Sequence, residues 1–481
     1  MRGVALTGFP FPDTAEAPRN WVELLLLAGP DQDECLRFGT TIDRSTLRAL
    51  VGEQHERLAA AGLTAGGTVA LRLPPSLGYV AALLAGWQLG AQVALLDYRL
   101  TEHEVQAALA RLAPQVLVRA DRTGPGSLRG FSEAQPVVVP LPDGRPAATP
   151  HAVVQLSSGS TGPSKVIGRT AADLLRELDC YRRLPEFPAA GERVVLLSST
   201  VHVLGLVGGL LHSLHTQAPL TVPERMTAAG ILAAVAADDR PTTVIGVPFH
   251  AELLAGVQAP PPLPQLRRMV VAGELLRPDV PPAFAQRYGV PLGTMYGMTE
   301  LGVIATDLSG RHHPSVEPVH GMELRERDGE LHIRVAASPY LGDTAPDRWS
   351  DGWLHTRDAG RVDQVTGLVT VLGRRDSQVS VGGLKVDLTE VEQTLAALPG
   401  VREAVVLFAD GAIEAFLCTE AQDAGTEADV LERIGERLAA YKRPRSTAFL
   451  PALPRTATGK LLRDATALHA AAAAHPAPAA R

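Results

Sequence analysis

Short runs of Val, Ile and Leu recur through the first two-thirds of the chain, and the segments between them carry Ala and Leu at helical spacing. Leu47 to Ala61 reads as a helix, Thr68–Leu73 as a strand, Gly78 to Leu89 as a helix and Ala91–Leu96 as a strand. Val116–Val118, Val137–Val139, Val194–Leu197, Thr243–Ile245 and Met269–Val271 continue the series. Alternating strands and helices predict an α/β architecture with largely parallel sheets. After about residue 320 the pattern becomes strand-rich, with turns at Asp328-Gly329, Asp351-Gly352 and Thr366-Gly367. Beyond Gly373–Asp376 it becomes compact α+β: strands at Val379–Val381, Ala404–Phe408 and Ile413–Leu417, and helices near 389–398 and 427–441.

A chain of 481 residues exceeds one typical core. The reading is a large N-terminal domain of β-sheets flanked by helices (1–373), a small α+β C-terminal domain (374–468) and a low-complexity, disordered tail (469–481). Hydrophobic residues make up 46% and charged residues 20%, as in an ordinary globular protein. A net charge of −7 argues against nonspecific binding to nucleic acid or a membrane surface. Three scattered cysteines offer neither a disulfide framework nor a zinc site. The N-terminus lacks a signal-peptide pattern and the apolar runs are short of a membrane span, so the expectation is a cytoplasmic enzyme.

Four segments carry chemistry. Gln155-Leu-Ser-Ser-Gly-Ser-Thr-Gly-Pro-Ser-Lys165 directly follows a strand-like run. Its glycines admit backbone N–H groups to an anion, its hydroxyls add donors and Lys165 adds charge, which suits a polyphosphate. It does not fit the Walker A spacing, and a serine–glycine linker is the alternative. Met295-Tyr-Gly-Met-Thr-Glu300 offers an aromatic face, a hydroxyl and a carboxylate, which suit a base, a phosphate and Mg²⁺; a capped strand-end turn is the alternative. Trp353–Asp358 ends on a carboxylate that can accept ribose hydroxyls, and Arg374 follows; a surface ion pair would look the same. Leu453-Pro-Arg-Thr-Ala-Thr-Gly-Lys460 puts a lysine on a glycine turn, where a lysine is usually only solvated.

Together, and in this order, these motifs resemble the adenylate-forming superfamily over roughly residues 20 to 465. That superfamily comprises acyl- and aryl-CoA synthetases, adenylation domains of nonribosomal peptide synthetases, and luciferases. The resemblance implies a mobile C-terminal lid. It implies that Ser157, Ser160, Thr161, Gly162 and Lys165 hold pyrophosphate, that Thr299 touches the α-phosphate and that Glu300 ligates Mg²⁺. Gly273 and Glu274 would lie along adenine, Tyr296 would stack on it, Gly297 would bind the nucleotide beside it, and Asp358 and Arg374 would hold the ribose. Asp376 matches the hinge, and Lys460 the lysine bridging the substrate carboxylate and the α-phosphate. The implied reaction makes an acyl-adenylate from ATP and a carboxylic acid, then passes the acyl group to a second nucleophile after the lid turns.

Several positions depart from the family pattern. Thr356-Arg-Asp358 stands where Thr-Gly-Asp is usual, and Ser380 where a lysine is common. Gly382-Gly-x-Lys385 resembles the lids of aryl-acid enzymes that load carrier proteins, whereas Val201-His-Val-Leu-Gly-Leu206 resembles CoA ligases. His202, Val203, Gly246 and Val247, with Pro248 beside them, are expected to wall the acid pocket, with His202 in contact with the chemistry. α-Amino-acid-activating members carry an aspartate at the position of Val203, and valine cannot pair a buried ammonium, so the expected acid is aryl or short acyl without an α-amine. With no carrier domain in the sequence, the acceptor is expected in trans: CoA, the phosphopantetheine of a separate acyl carrier protein, or an amine. An amide synthetase and a non-catalytic nucleotide-binding relic are the competing readings.

Overall fold

The computed structural model describes residues 17–121, 130–132, 134–157, 165–342, 345–375, 377–421, 423–454 and 461–475. Ser160, Thr161, Gly162, Asp376 and Lys460, and the side chain of Ser157, lie outside the described residues.

Two twisted sheets make the N-terminal body. A six-stranded sheet pairs Val116–Ala120, Thr68–Arg72, Gln92–Leu95 and Val153–Ser157 in parallel, with an antiparallel strand at each edge, Pro136–Pro140 and Lys165–Arg169. In the larger, fourteen-stranded sheet, strands from Glu34–Phe38 to Leu292–Met298 run parallel. From Gly302–Asp307 onward the added strands are antiparallel. The two expected Asp-Gly turns are observed there: Asp328 and Asp351 adopt φ 52°, and Gly329 and Gly352 φ 74° and 77°. Two successive positive φ values match the right-handed twist of a hairpin, and glycine tolerates the second at no steric cost.

The helix Leu77–Gln88 explains why the sheets stay together. Its residues Tyr79 to Trp87 are all buried, so it has no solvent face. It shares one core with Val69, Val93 and Val118 of the smaller sheet and Leu196, Ile245 and Val270 of the larger. Ser76 caps it by accepting from Tyr79 N at 3.1 Å.

The larger sheet ends at Val369–Arg374, and from Gln378 the chain builds separate sheets: the hairpin Gln378–Val381/Leu384–Asp387 and a three-stranded sheet of Val401–Ala409, Ala412–Thr419 and Ser446–Phe449. This domain has its own apolar core around Val391, Leu395, Leu417 and Ile434. The expectation of a disordered tail from 469 is corrected in part. Residues 469–474 complete a helix, Ala465–Ala474, that buries Leu468 and is capped by Asp464, whose Oδ1 accepts from Ala467 N at 2.9 Å. Alanine repeats look low in complexity, yet alanine is the best helix former. Among the described residues no helix is long and apolar enough to cross a membrane.

Candidate active site

A cleft of about 1310 Å³ opens between the two domains. Its floor is made where parallel strands end: Asp97 after Gln92–Leu95, Ser198 after Arg193–Leu196, Val247 after Thr242–Gly246, Gly273 after Leu266–Ala272 and Thr299 after Leu292–Met298. The carboxyl ends of parallel strands are the usual ligand-binding edge of such sheets.

Sheet register brings the nucleotide candidates together. Asp358 and Arg374 are cross-strand partners, and Arg374 Nη1 donates to Asp358 Oδ1 at 2.9 Å. Tyr296, on a different strand, donates its hydroxyl to Asp358 Oδ2 at 2.6 Å. Asp358 is buried, and both partners fix its carboxylate while leaving lone pairs for further donors. Burial first, then the Asp358 charge, pushes the Tyr296 phenol well above its ordinary pKa, so it stays a donor. Arg357 adopts φ 61° between Thr356 and Asp358. The left-handed conformation that explains a glycine in the family pattern is therefore retained by an arginine, tied to Asp347 at 2.8 Å.

Thr299 and Glu300 lie in the turn between Leu292–Met298 and Gly302–Asp307, and both line the cleft. Glu300 is buried, and its Oε1 accepts from the Tyr340 hydroxyl at 2.7 Å. Beneath the turn, Arg169 and Glu177 form a buried ion pair at 2.7 Å. Glu177 Oε1 also accepts from Val303 N at 3.0 Å. Gly302, at φ 85°, leaves the room: a Cβ there would meet the Glu177 carboxylate at 2.1 Å. Lys165 reaches the same cleft from the strand Lys165–Arg169 and is itself buried.

Of the residues expected at the acid pocket, His202 and Val203 line the cleft ahead of a π-helical segment, Leu204–Leu211. The His202 side chain is 41% exposed, but its Nε2 is buried and lies 4.0 Å from Asp97 Oδ2. Burial holds the imidazole below its ordinary pKa, outweighing Asp97; Arg99 and Lys385 add to the lowering. Asp97 is gripped by Arg99 through Nε at 2.8 Å and Nη2 at 2.5 Å. Val247 also lines the cleft. Gly246 does not line the cleft: His250 fills the space beside it, with Nδ1 3.0 Å from where a Cβ would stand. His250 Nδ1 accepts from Val247 N at 3.2 Å, and burial lowers its pKa to about 4.

The lid covers this site with the hairpin 378–387. Ser380 Oγ and Gly383 N donate to Glu274 Oε1 at 2.5 and 2.7 Å, and the Lys385 ammonium donates to the Gly273 carbonyl. The segment expected along adenine thus also carries the lid contact. Gly297 lies beside it in the cleft wall. Sequence reasoning missed Tyr340, Asp97, Arg99 and His250. Asp97-Tyr-Arg99 at the end of an apolar strand was the available signal.

A cleft at the carboxyl edge of a parallel sheet, closed by a separate C-terminal domain, is the arrangement of an AMP-forming ligase. The chain belongs to the AMP-binding enzyme family, matching it over residues 30–331 and the AMP-binding enzyme C-terminal domain over residues 390–460. It is 26% identical to a probable CoA ligase (CCL9) of Humulus lupulus, covering 89% of this chain and 91% of that protein. It is 27% identical to a feruloyl-CoA synthase of Amycolatopsis, covering 88% and 93%. A p-hydroxybenzoic acid–AMP ligase (FadD22) of Mycobacterium marinum is 29% identical over 85% of this chain and 62% of its own length. In fold the chain is similar to o-succinylbenzoate CoA synthetase of Bacillus subtilis, with a TM-score of 0.77 at 23% identity over 94% and 97% of the two chains. An amide bond synthetase (McbA) of Marinactinospora thermotolerans gives 0.73 at 23% identity, over 91% and 97%.

Proposed function

We propose that this enzyme activates an aryl or short acyl acid lacking an α-amine, using ATP, and transfers the acyl group to a thiol of CoA or of a carrier-protein phosphopantetheine. The observation that carries the reading is the convergence of Tyr296, Asp358 and Arg374 with Thr299 and Glu300 on one cleft that also holds His202 and Val203.

The substrate carboxylate attacks the α-phosphorus of ATP. A C(O)–O–P bond forms, the bond to the bridging oxygen breaks and pyrophosphate leaves. Both reactants are anions, so the site must supply positive charge and fixed orientation. Asp358, held from both sides, accepts the ribose hydroxyls, with Arg374 beside it. Thr299 offers a hydroxyl to the α-phosphate. Lys165 supplies a cation at the base of the phosphate loop, and Ser157, Ser160, Thr161 and Gly162 are assigned to its donors. Lys460 is assigned to the approaching carboxylate and Asp376 to the hinge. Glu300 fits a Mg²⁺ site: it is a buried carboxylate with one oxygen already oriented by Tyr340. A single protein carboxylate suits an ion that keeps water and phosphate oxygens as its other ligands and offsets phosphate charge. Among the described residues no cluster of three His, Cys, Asp or Glu residues forms an all-protein cage.

In the second step the acceptor, as a thiolate, attacks the carbonyl carbon, the C–S bond forms, the C–O bond to the phosphate breaks and AMP leaves. Val203 presents no carboxylate, so an α-ammonium would be buried unpaired. The names of the feruloyl and p-hydroxybenzoic acid relatives support an aryl acid. The test incubates the enzyme with ATP and a panel of acids in the presence of CoA, a phosphopantetheinylated carrier protein or amines, and weighs the products. A thioester is the expected product; amides alone would replace the thiol acceptor with an amine.

A further inference from the structure

The lid meets the N-terminal domain at a second place, away from the hairpin 378–387. Lys442 carries its ammonium to 2.9 Å from Glu390 Oε1 on the lid and to 2.9 Å from Glu104 Oε1 on the N-terminal domain. Lys442 is only 8% exposed. Burial disfavours its charge, but Glu390 and Glu104 outweigh burial and raise the pKa well above the ordinary lysine value. Glu104 is held by its own domain. Its other oxygen accepts from the Thr101 backbone at 2.9 Å and hydroxyl at 3.0 Å, forming the capping box of the helix Glu102–Leu112. Beside this bridge, the Arg99 guanidinium lies 5.4 Å from the centre of the lid's Tyr441 ring. The carbonyl of Arg437 lies 3.4 Å from Thr101 Oγ1.

Resting on the proposed two-step reaction, we propose that Lys442 is a positioning residue for acyl transfer: its buried bridge from Glu390 to Glu104 holds the lid with the hairpin 378–387 facing the cleft. In this orientation the cleft is lined by lid residues from Gln378 to Lys385 and by Arg437, Tyr441 and Lys442. Leu461 is not among the lining residues and packs inside the lid on the core that holds Val405 and Phe416. The bridge therefore belongs to the orientation in which the hairpin faces the cleft. Glu390 travels with Lys442, whereas Glu104 does not. Turning the lid separates Lys442 from Glu104 alone and returns both to water. Such a contact biases one state without preventing the other, because desolvation offsets much of its Coulomb attraction.

Glu104→Gln is the clean perturbation. Glutamine can still serve the capping box, but the cross-domain charge is gone. Pyrophosphate release during adenylate formation should stay within about twofold of wild type. Acyl transfer from a supplied acyl-adenylate should slow by about 10-fold or more, within the range of coupling between linked sites. Lys442→Met should behave likewise and Lys442→Arg should recover most of the loss. Transfer at the wild-type rate in Glu104→Gln would overturn the proposal, leaving Lys442 a lid-internal partner of Glu390. Equal slowing of both steps would overturn it too. A second readout needs no turnover. Spin labels at Glu53→Cys and Glu432→Cys, in a Cys180→Ser background because the other cysteines are buried, report the separation of the domains. One dominant distance in wild type should broaden or shift in Glu104→Gln; an unchanged distribution refutes the bridge. If wild type released pyrophosphate with no acid, the proposed function would fail, and the label distances would still decide the bridge.

Discussion

The Tyr340 hydroxyl touches no cleft ligand in the proposed mechanism and acts only through Glu300, so removing it isolates the orientation of the carboxylate. Tyr340→Phe keeps the ring against its neighbours Ile167 and Leu354 and deletes one hydrogen bond of 2.7 Å. Tyr340 is 7% exposed and Glu300 9%, so water replaces the donor poorly. A hydrogen bond to a charged group contributes about 1.5–3 kcal/mol. If half of that is expressed in the transition state, adenylation slows by roughly 4- to 13-fold. Glu300→Gln removes the charge itself and should slow the step by about 100-fold or more, the scale of a lost electrostatic stabiliser. The double variant is the most informative protein to make. Because the hydroxyl works through the carboxylate, Tyr340→Phe should add almost nothing once Glu300 is glutamine. The assay is pre-steady-state pyrophosphate release at saturating ATP and acid, repeated across Mg²⁺ concentrations. Tyr340→Phe should also need more Mg²⁺ for half-maximal rate. Additive losses in the double variant, or an unchanged Mg²⁺ requirement with a large rate loss, would refute this reasoning and make Tyr340 a packing residue.

Gly302→Ala should destabilise the protein by about 3 kcal/mol or more, read as a lowered denaturation midpoint, because its Cβ would displace Glu177 from a buried pair and its φ is left-handed; an unchanged midpoint would show that Glu177 moves aside freely. Lys460→Ala should slow adenylate formation by about 100-fold or more while acyl transfer from supplied adenylate persists, and equal damage to both steps would remove Lys460 from its assigned role. Aryl and aliphatic acids should support pyrophosphate exchange better than their α-amino analogues, because Val203 leaves an ammonium unpaired; preference for an ordinary α-amino acid would contradict the pocket assignment.

What the sequence made legible was local. Strand and helix positions followed from periodicity: the run Thr243–Ile245 became Thr242–Gly246, and the helix expected from Leu47 to Ala61 became Arg44–Ala60. Motif order grouped Asp358 and Arg374 as expected ribose contacts, and sheet register makes them cross-strand partners. What stayed illegible depends on contacts between distant segments. Tyr340 lies 40 residues from Glu300, and nothing near Tyr340 marks it as a carboxylate's partner. The Lys442–Glu104 bridge joins different domains, so it depends on a lid orientation that no local pattern encodes. Gly246 misled for a different reason. Its position at a strand end suited a pocket wall, but His250, one helical turn further on, occupies the adjacent space.

An enzyme of this kind joins a carboxylic acid to AMP in this cleft before any acceptor is present. Incubating the enzyme with Mg²⁺–ATP labelled in the α-phosphate and a panel of aryl and short acyl acids, without any acceptor, tests it most directly. An enzyme-bound acyl-adenylate detectable by mass is expected, with one pyrophosphate released per site and exchange of added labelled pyrophosphate into ATP that depends on the acid. Release of ADP and phosphate, or no acid-dependent exchange with any member of the panel, would contradict it.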